Sequence, residues 1–243
     1  MKKVLTLLFC LFLPSLILRP LLRLLGHKIG KKVKIGFSVM STTNITIGDG
    51  SKIGHLNLFF NSKIELSNNT KIGYLNIFKG PFSLILDHKA AVGNKNYLSR
   101  GALGLTYGKS DLKLGELTKI TTGHHLDLTR SIVLGDFSIL AGIRSQMWTH
   151  GYYHAETGKD RIRIDGEIHI GNNVYVGSGC IFNPGIKVLN GIHIGGGSVI
   201  SKNLTEQGMY VGQALRHIPQ TFSQIKSKLN KVDKNLIEKV YTK

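Results

Sequence analysis

Aliphatic residues recur every six positions along most of this chain, and that beat limits its fold more than any other feature. From Ile29 the pairs Ile29-Gly30, Ile35-Gly36, Ile47-Gly48 and Ile53-Gly54 keep step. The frame shifts and resumes at Leu66, Ile72-Gly73 and Phe78, then again at Leu134-Gly135 and Leu140-Ala141. The cleanest stretch runs Ile170-Gly171, Val176-Gly177, Phe182-Asn183, Val188-Leu189, Ile194-Gly195 and Ile200-Ser201. A period of six fits neither a helix face nor plain strand alternation over this length. It fits a short strand and a corner, repeated three times per coil. The aliphatic residue points into a narrow triangular prism, and the Gly, Asn or Asp after it is expected to take the left-handed corner conformation cheaply. Four positions after each aliphatic a slender residue must also pack inside; Val174, Cys180, Ile186, Ile192, Ser198 and Leu204 hold those places. Stacked coils then bury a core that no single repeat could bury alone.

The pattern resembles the hexapeptide-repeat acyltransferases over roughly residues 29–216, diffusely at first and specifically after Leu134. The resemblance implies an all-β chain wound as a left-handed parallel β-helix, an exception to the usual crossover hand. Between Phe78 and Leu114 only Val92-Gly93 and Leu98 keep the beat, so irregular coils are expected there. The β-helix is expected over residues 28–216, with short helices before it in 1–27 and after it in 217–243.

Both flanking segments have their own patterns. Val4 to Leu25 is apolar but broken by Pro14, Arg19, Pro20 and Arg23, and its clean run falls short of the ~20 residues that span a bilayer. Lys2 and Lys3 imitate a signal peptide, yet no small-x-small cleavage site follows. An interfacial helix on the inner face of the cell membrane is expected, in a cytoplasmic protein, with Arg19 and Arg23 toward anionic headgroups. A helix packed on the protein itself is the other reading. Toward the C-terminus Ile225, Leu229, Val232, Leu236 and Val240 recur at helical spacing with lysines between, as in a basic amphipathic helix able to cap the prism.

The chain carries 32 Lys+Arg against 14 Asp+Glu, a formal charge of +18, which attracts polyanions of several kinds. No nucleic-acid-reading motif accompanies the charge, so a phosphorylated cofactor or an anionic membrane is expected as partner and nucleic acid is not. The two cysteines, Cys10 and Cys180, are too few for a disulfide framework or a Cys-rich zinc site.

The repeat breaks at residues 146–154, a polar segment follows over 155–167, and Ile168 restores the beat. Insertions that leave a regular solenoid usually serve binding. In the family that the chain resembles, such a loop carries the catalytic histidine. Thr149-His150-Gly151 is the matching point, and Ile168-His169-Ile170-Gly171-Asn172-Asn173 and Asn183-Pro184-Gly185 extend the match. The resemblance implies transfer of acetyl from acetyl-CoA to a saccharide hydroxyl, with His150 as general base, since histidine titrates where such a proton must move. His125, Trp148 and His154 are candidates for acceptor contact, each with a plain alternative as a turn or packing residue. Asp127 either orients a histidine or fills a corner. By the same resemblance Ser178, Gly196, Ser201, Lys202 and Arg216 would line a CoA groove between two prisms, which implies a homotrimer. The segment Gly212-Gln213-Ala214-Leu215-Arg216 lacks the proline usual there. The apolar N-terminus suggests a lipid-linked acceptor, as in surface-polysaccharide assembly, and no metal is expected. Two other readings stay open: a non-catalytic scaffold on the same prism, and a γ-carbonic-anhydrase-like metalloenzyme using His124, His150 and His154.

Overall fold

The computed structural model describes residues 1–212, 222–232, 236 and 239–243. The chain winds into a left-handed parallel β-helix with three faces. On the first face Ile29, Ile47, Leu66, Leu86, Leu114, Leu134, Ile170 and Val188 stack in register. The second face stacks Ile35, Ile53, Ile72, Val92, Ile120, Leu140, Val176 and Ile194. The third stacks Met40, Phe59, Phe78, Leu98, Leu126, Met147, Phe182 and Ile200. All of them are buried in one continuous core. Eighteen residues, three six-residue steps, separate Ile29 from Ile47 and again Ile170 from Val188.

The weak stretch after Phe78 is regular as far as Ser99 and irregular from there to Asp111. Strands Leu58–Leu66 and Ile77–Leu86 run unbroken around the corner between the third and first faces, so the corner that would mark the beat is absent there. The coil leaves register only after Ser99, in a loop held by Arg100, whose guanidinium donates to Pro81 O at 2.6 Å, Tyr107 O at 2.8 Å and Gly108 O at 3.0 Å.

Glycines follow the aliphatic residues for a different reason than the one expected. The left-handed residue lies three places after the aliphatic, at Lys32 (φ 54°), Asn69 (φ 59°), Leu117 (φ 56°) and Phe137 (φ 57°). The glycine next to the aliphatic sits where coils touch. A Cβ on Gly30 would lie 2.7 Å from Asp49 N, and one on Gly177 2.6 Å from Gly196 N. Backbone approach between coils, not φ, excludes a side chain.

The N-terminal segment forms two helices, α1 (Lys2–Phe12) and α2 (Ser15–Leu24), that close one end of the prism. Cys10, Leu18 and Leu22 are fully buried, and Ser38 N donates to Cys10 O at 3.0 Å. Arg23 is exposed, and its guanidinium also bonds the prism: its Nε donates to Ile29 O and its Nη2 to Gly30 O, each at 2.8 Å. Those carbonyls belong to the first coil, which has no coil below it, so the guanidinium satisfies an open strand edge. Among the described residues no helix is long and apolar enough to cross a membrane.

At the other end the helical spacing misleads. The helix described there, α3, spans only Phe222–Lys226. Val240 and Tyr241 are buried in a strand, Val240–Thr242, paired in parallel with Arg161–Asp165. An exposed strand edge recruited this β-branched and aromatic segment, and helical periodicity is a weak prior against such a partner.

Inside one corner runs a polar ladder that hydrophobic periodicity does not reveal. Asn76 Nδ2 donates to Asn57 Oδ1, and Asn96 Nδ2 to Asn76 Oδ1, each at 3.0 Å. Asn76 Nδ2 also reaches Gly93 O at 2.8 Å. Buried amides this well paired are costly to interrupt. Asn76→Ala orphans its neighbours and is expected to lower stability by about 2 kcal/mol, read as a lowered urea midpoint with unchanged slope.

Candidate functional site

The insertion after the strand Gln146–Met147 is an antiparallel hairpin rather than a loop: His150–His154 pairs with Arg161–Asp165, placing His150 opposite Asp165. Gly166 returns the chain to the prism; its N donates to Thr149 O at 2.9 Å, and a Cβ there would strike the backbone of Gly185.

His150 leaves the prism at the corner between the third and first faces. Its Nδ1 lies 2.8 Å from Asp127 Oδ2. A carboxylate so placed can only accept, so Nδ1 carries the hydrogen and Nε2 is left as the basic nitrogen. Asp127, only 6% exposed, is held on every side. Oδ2 accepts from Thr149 N at 3.0 Å and lies 2.8 Å from Thr149 Oγ1. Oδ1 accepts from Thr129 Oγ1 at 2.9 Å, and Thr129 Oγ1 is also 3.2 Å from His150 Nδ1.

Burial alone would raise the Asp127 carboxyl pKa. The hydrogen bond and charge of His150, with the Thr149 and Thr129 hydroxyls, outweigh it and hold the pKa below its ordinary value. In turn the Asp127 hydrogen bond raises His150 above the ordinary histidine value, against burial. Asp165 adds to that rise and Arg163 opposes it. Arg163 and Asp165 form a buried bidentate pair at 2.8 and 3.1 Å, and Arg163 also donates to Leu105 O. This ties the hairpin to the loop held by Arg100.

Trp148, His150 and His125 come together. A row of rings runs from Tyr97 to His125 (5.0 Å between centroids), Trp148 (4.9 Å), His150 (6.4 Å) and Tyr152 (5.9 Å). Burial lowers the His125 pKa and Asp127 pushes the other way. His154 is exposed at the far end of its strand, beside Tyr152. His124 does not join them. It points into the prism, with Nε2 2.9 Å from Thr121 Oγ1 and Nδ1 accepting from Ser145 N at 3.2 Å, and burial lowers its pKa to about 4. His124, His150 and His154 therefore do not converge on one point, and no cluster of metal-binding type occurs among the described residues.

The candidate CoA residues divide between two corners. Ser178 and Gly196 lie between the second and third faces, where Gly197 N donates to Ser178 O at 2.8 Å and a Cβ on Gly196 would meet Ser178 O at 3.1 Å. Gly142 sits against Ser178 one coil below. Ser201 and Lys202 follow Val199–Ile200 on the third face, toward the corner of His150. Arg216 lies outside the described residues. Thr129, Tyr97 and Tyr152, and the Arg163–Asp165 pair, were not singled out from the sequence. The only signal for Thr129 was its place two residues after Asp127.

A three-sided hexapeptide prism with a paired histidine and aspartate at the root of an inserted hairpin has the fold of the hexapeptide-repeat acyltransferases. Solved structures similar to it include the polySia-specific acetyltransferase NeuO, 18% identical over 77% of this chain and 78% of that one, with a TM-score of 0.46. The polysialic acid O-acetyltransferase OatWY is 13% identical over 81% of this chain and 94% of that one, with a TM-score of 0.43. The UDP-N-acetylglucosamine acyltransferase from Campylobacter jejuni is 13% identical over 77% and 68%, with a TM-score of 0.45. No protein-family model matches the sequence, and no curated protein does.

The histidine–aspartate pair has a direct spectroscopic consequence. His150 should titrate by NMR above the ordinary value of about 6.5, and in Asp127→Asn its titration should move down. An unmoved titration in the variant would mean that the pair is not formed in solution.

Proposed function

We propose that the chain transfers an acyl group, acetyl from acetyl-CoA, to a hydroxyl of a saccharide, with His150 as general base. The observation that carries this reading is the 2.8 Å contact between His150 Nδ1 and buried Asp127. The acceptor hydroxyl gives its proton to His150 Nε2 as its oxygen attacks the thioester carbonyl carbon. The tetrahedral intermediate then collapses, the carbon–sulfur bond breaks, and the imidazolium returns the proton to the departing thiolate. Asp127 stabilises the imidazolium between these steps and keeps the productive tautomer. Tyr97, His125, Trp148 and Tyr152 offer ring faces against which a pyranose can lie.

A second copy completes the site in this reading. His150 and the Ser178–Gly196 strip sit on opposite corners of the third face, so one chain does not bring them together. The strip is nearly free of side chains at Gly142, Gly177 and Gly196, which suits the thin pantetheine arm of CoA. Between the two corners the third face carries an outward column of Val39, Leu58, Ile77, Tyr97, His125, Gln146, Ile181 and Val199, mostly apolar, the surface expected between copies of a homotrimer.

The N-terminal cap supplies the membrane contact. Val4, Leu8, Phe12, Leu16, Ile17 and Leu24 remain exposed on α1 and α2, with Lys2, Lys3 and Arg19 beside them, as an amphipathic anchor on anionic lipid requires. His150 then stands five coils above the first, ~24 Å from the capped end, a height that suits the glycan of a lipid-linked acceptor.

Two measurements test these readings. His150→Ala should cut turnover by ~10²–10⁴ while calorimetric CoA affinity holds; undiminished turnover would overturn the assignment. Because the pKa of His150 is raised, the base form gains only above it, and turnover should climb with pH through that raised value. Phe12→Ser with Leu16→Ser should release the protein from vesicles of anionic lipid without unfolding it, since neither side chain is in the core. Retained binding would place the contact elsewhere.

A further inference from the structure

On the outward side of the second face Lys34, Lys52 and Lys71 stand directly opposite one another on successive coils. Ala91 takes the next place and Lys119 the one after. All four lysines are exposed. With ~4.8 Å between coils the row is ~19 Å long. Like charges directly opposite on neighbouring strands destabilise a sheet, and none of the four forms an ion pair with a carboxylate among the described residues. The contrast with the first face is plain: Lys63 there meets Glu65 at 2.6 Å, and Lys113 meets Asp87 at 3.8 Å. Protection of an open sheet edge does not account for the row either, because Lys52, Lys71 and Lys119 lie on interior strands of the nine-stranded sheet.

The row forms the floor of a groove of about 1570 Å³. One wall is the corner bearing Phe37, His55 and Tyr74, where His55 stacks on Tyr74 at 6.2 Å and lies tilted against Phe37 at 5.5 Å. The other bears Lys32 and Lys89, and Arg19 of α2 closes the base. We propose that this groove binds a linear anionic glycan, extended along the prism axis with an acidic group at each of several successive sugars. The proposal rests on the saccharide-transfer reading and names the class of acceptor that reading would use.

Charge and shape select this occupant. A single file of cations, on four of five successive coils, matches a polymer carrying a negative charge on most of its repeating units. A bilayer is flat, and the overhang of α2 and the ring-bearing corner keep it from the floor. His55 and Tyr74 on the wall face one another, so they offer edges to a passing sugar and no open slot between them for a nucleic-acid base. The row climbs from the capped end to the coil just below that of His150, on the face opposite the His150 corner, so a chain lying in it runs along the prism axis up to the level of the acylation site.

Binding of fluorescent oligogalacturonate, a uronic-acid polymer with one carboxylate per sugar, tests the proposal without any acyl donor. Affinity should increase with oligomer length until the row is spanned and should fall with salt, as counterion release requires. Replacing Lys34, Lys52, Lys71 and Lys119 together with Gln should weaken binding at least ~10-fold. Replacing Lys28, Lys63, Lys113 and Lys187 on the first face, an equal change of net charge, should leave it within about twofold. Equal losses in the two variants would reduce the effect to generic charge and overturn the proposal. So would equal affinity for a neutral glucan, or poly-U RNA or phosphatidylserine vesicles held by the row where the uronate is not. His150→Ala should bind like the parent protein. Should acyl transfer prove absent while the row-dependent binding persists, the catalytic reading falls and the glycan groove stands.

Discussion

Register between coils is the constraint on which the rest of this molecule depends. Each inward aliphatic residue rests on the same position of the coil below, and backbone hydrogen bonds run along the axis between them. One coil alone buries little, so stability accumulates only while successive coils keep the same phase. The glycines beside the aliphatics serve that requirement, because adjacent coils approach within 3 Å of where their Cβ would lie. The asparagine ladder serves it too: each amide is bonded to its counterpart and to backbone carbonyls of the neighbouring coil. An extra residue must therefore leave the prism or be absorbed locally, as at the register shifts near Asn61 and Thr122.

The two large departures have a common destination. The loop after Ser99 and the hairpin after Met147 both leave toward the first face, and Arg163 joins them through Leu105. Between them the rigid prism presents Asp127 and Thr129, and the hairpin presents Thr149 and His150. The histidine thus borrows its orientation from a carboxylate on the coil below, already fixed by two threonines. That division suits a proton-transfer site. In the proposed reaction the group that gains and loses charge, His150, is partly exposed, whereas Asp127, which sets its tautomer, is buried and fully bonded.

Electrostatics divide the outer surface in the same economical way. The third face is mostly apolar and aromatic, the lower coils of the second carry four lysines without a carboxylate partner among the described residues, and on the first Lys63 and Lys113 meet acids. A chain of formal charge +18 could have spread its cations evenly. Its register instead lines four of them up on one face, which no reading of net charge would disclose.

The sequence by itself determined the prism, its six-residue repeat and the point of interruption, because an inward aliphatic residue at every sixth position is a local periodic signal. It also made His150 and Asp127 visible as candidates, since each stands where the beat breaks or a corner falls. What it left undecided was contact between residues far apart in the chain. Asp127 and His150 are joined only because one coil happens to separate them. Val240 and Tyr241 became a strand because the hairpin offered an edge 75 or more residues away. Arg23 bonds the end of the prism because the first coil had unmet carbonyls, and the lysines became a row because coils of unequal length were brought back into phase. Hydropathy reports which side of an element faces the core; it carries no record of which coil will lie against it, and that is decided only when the chain has closed.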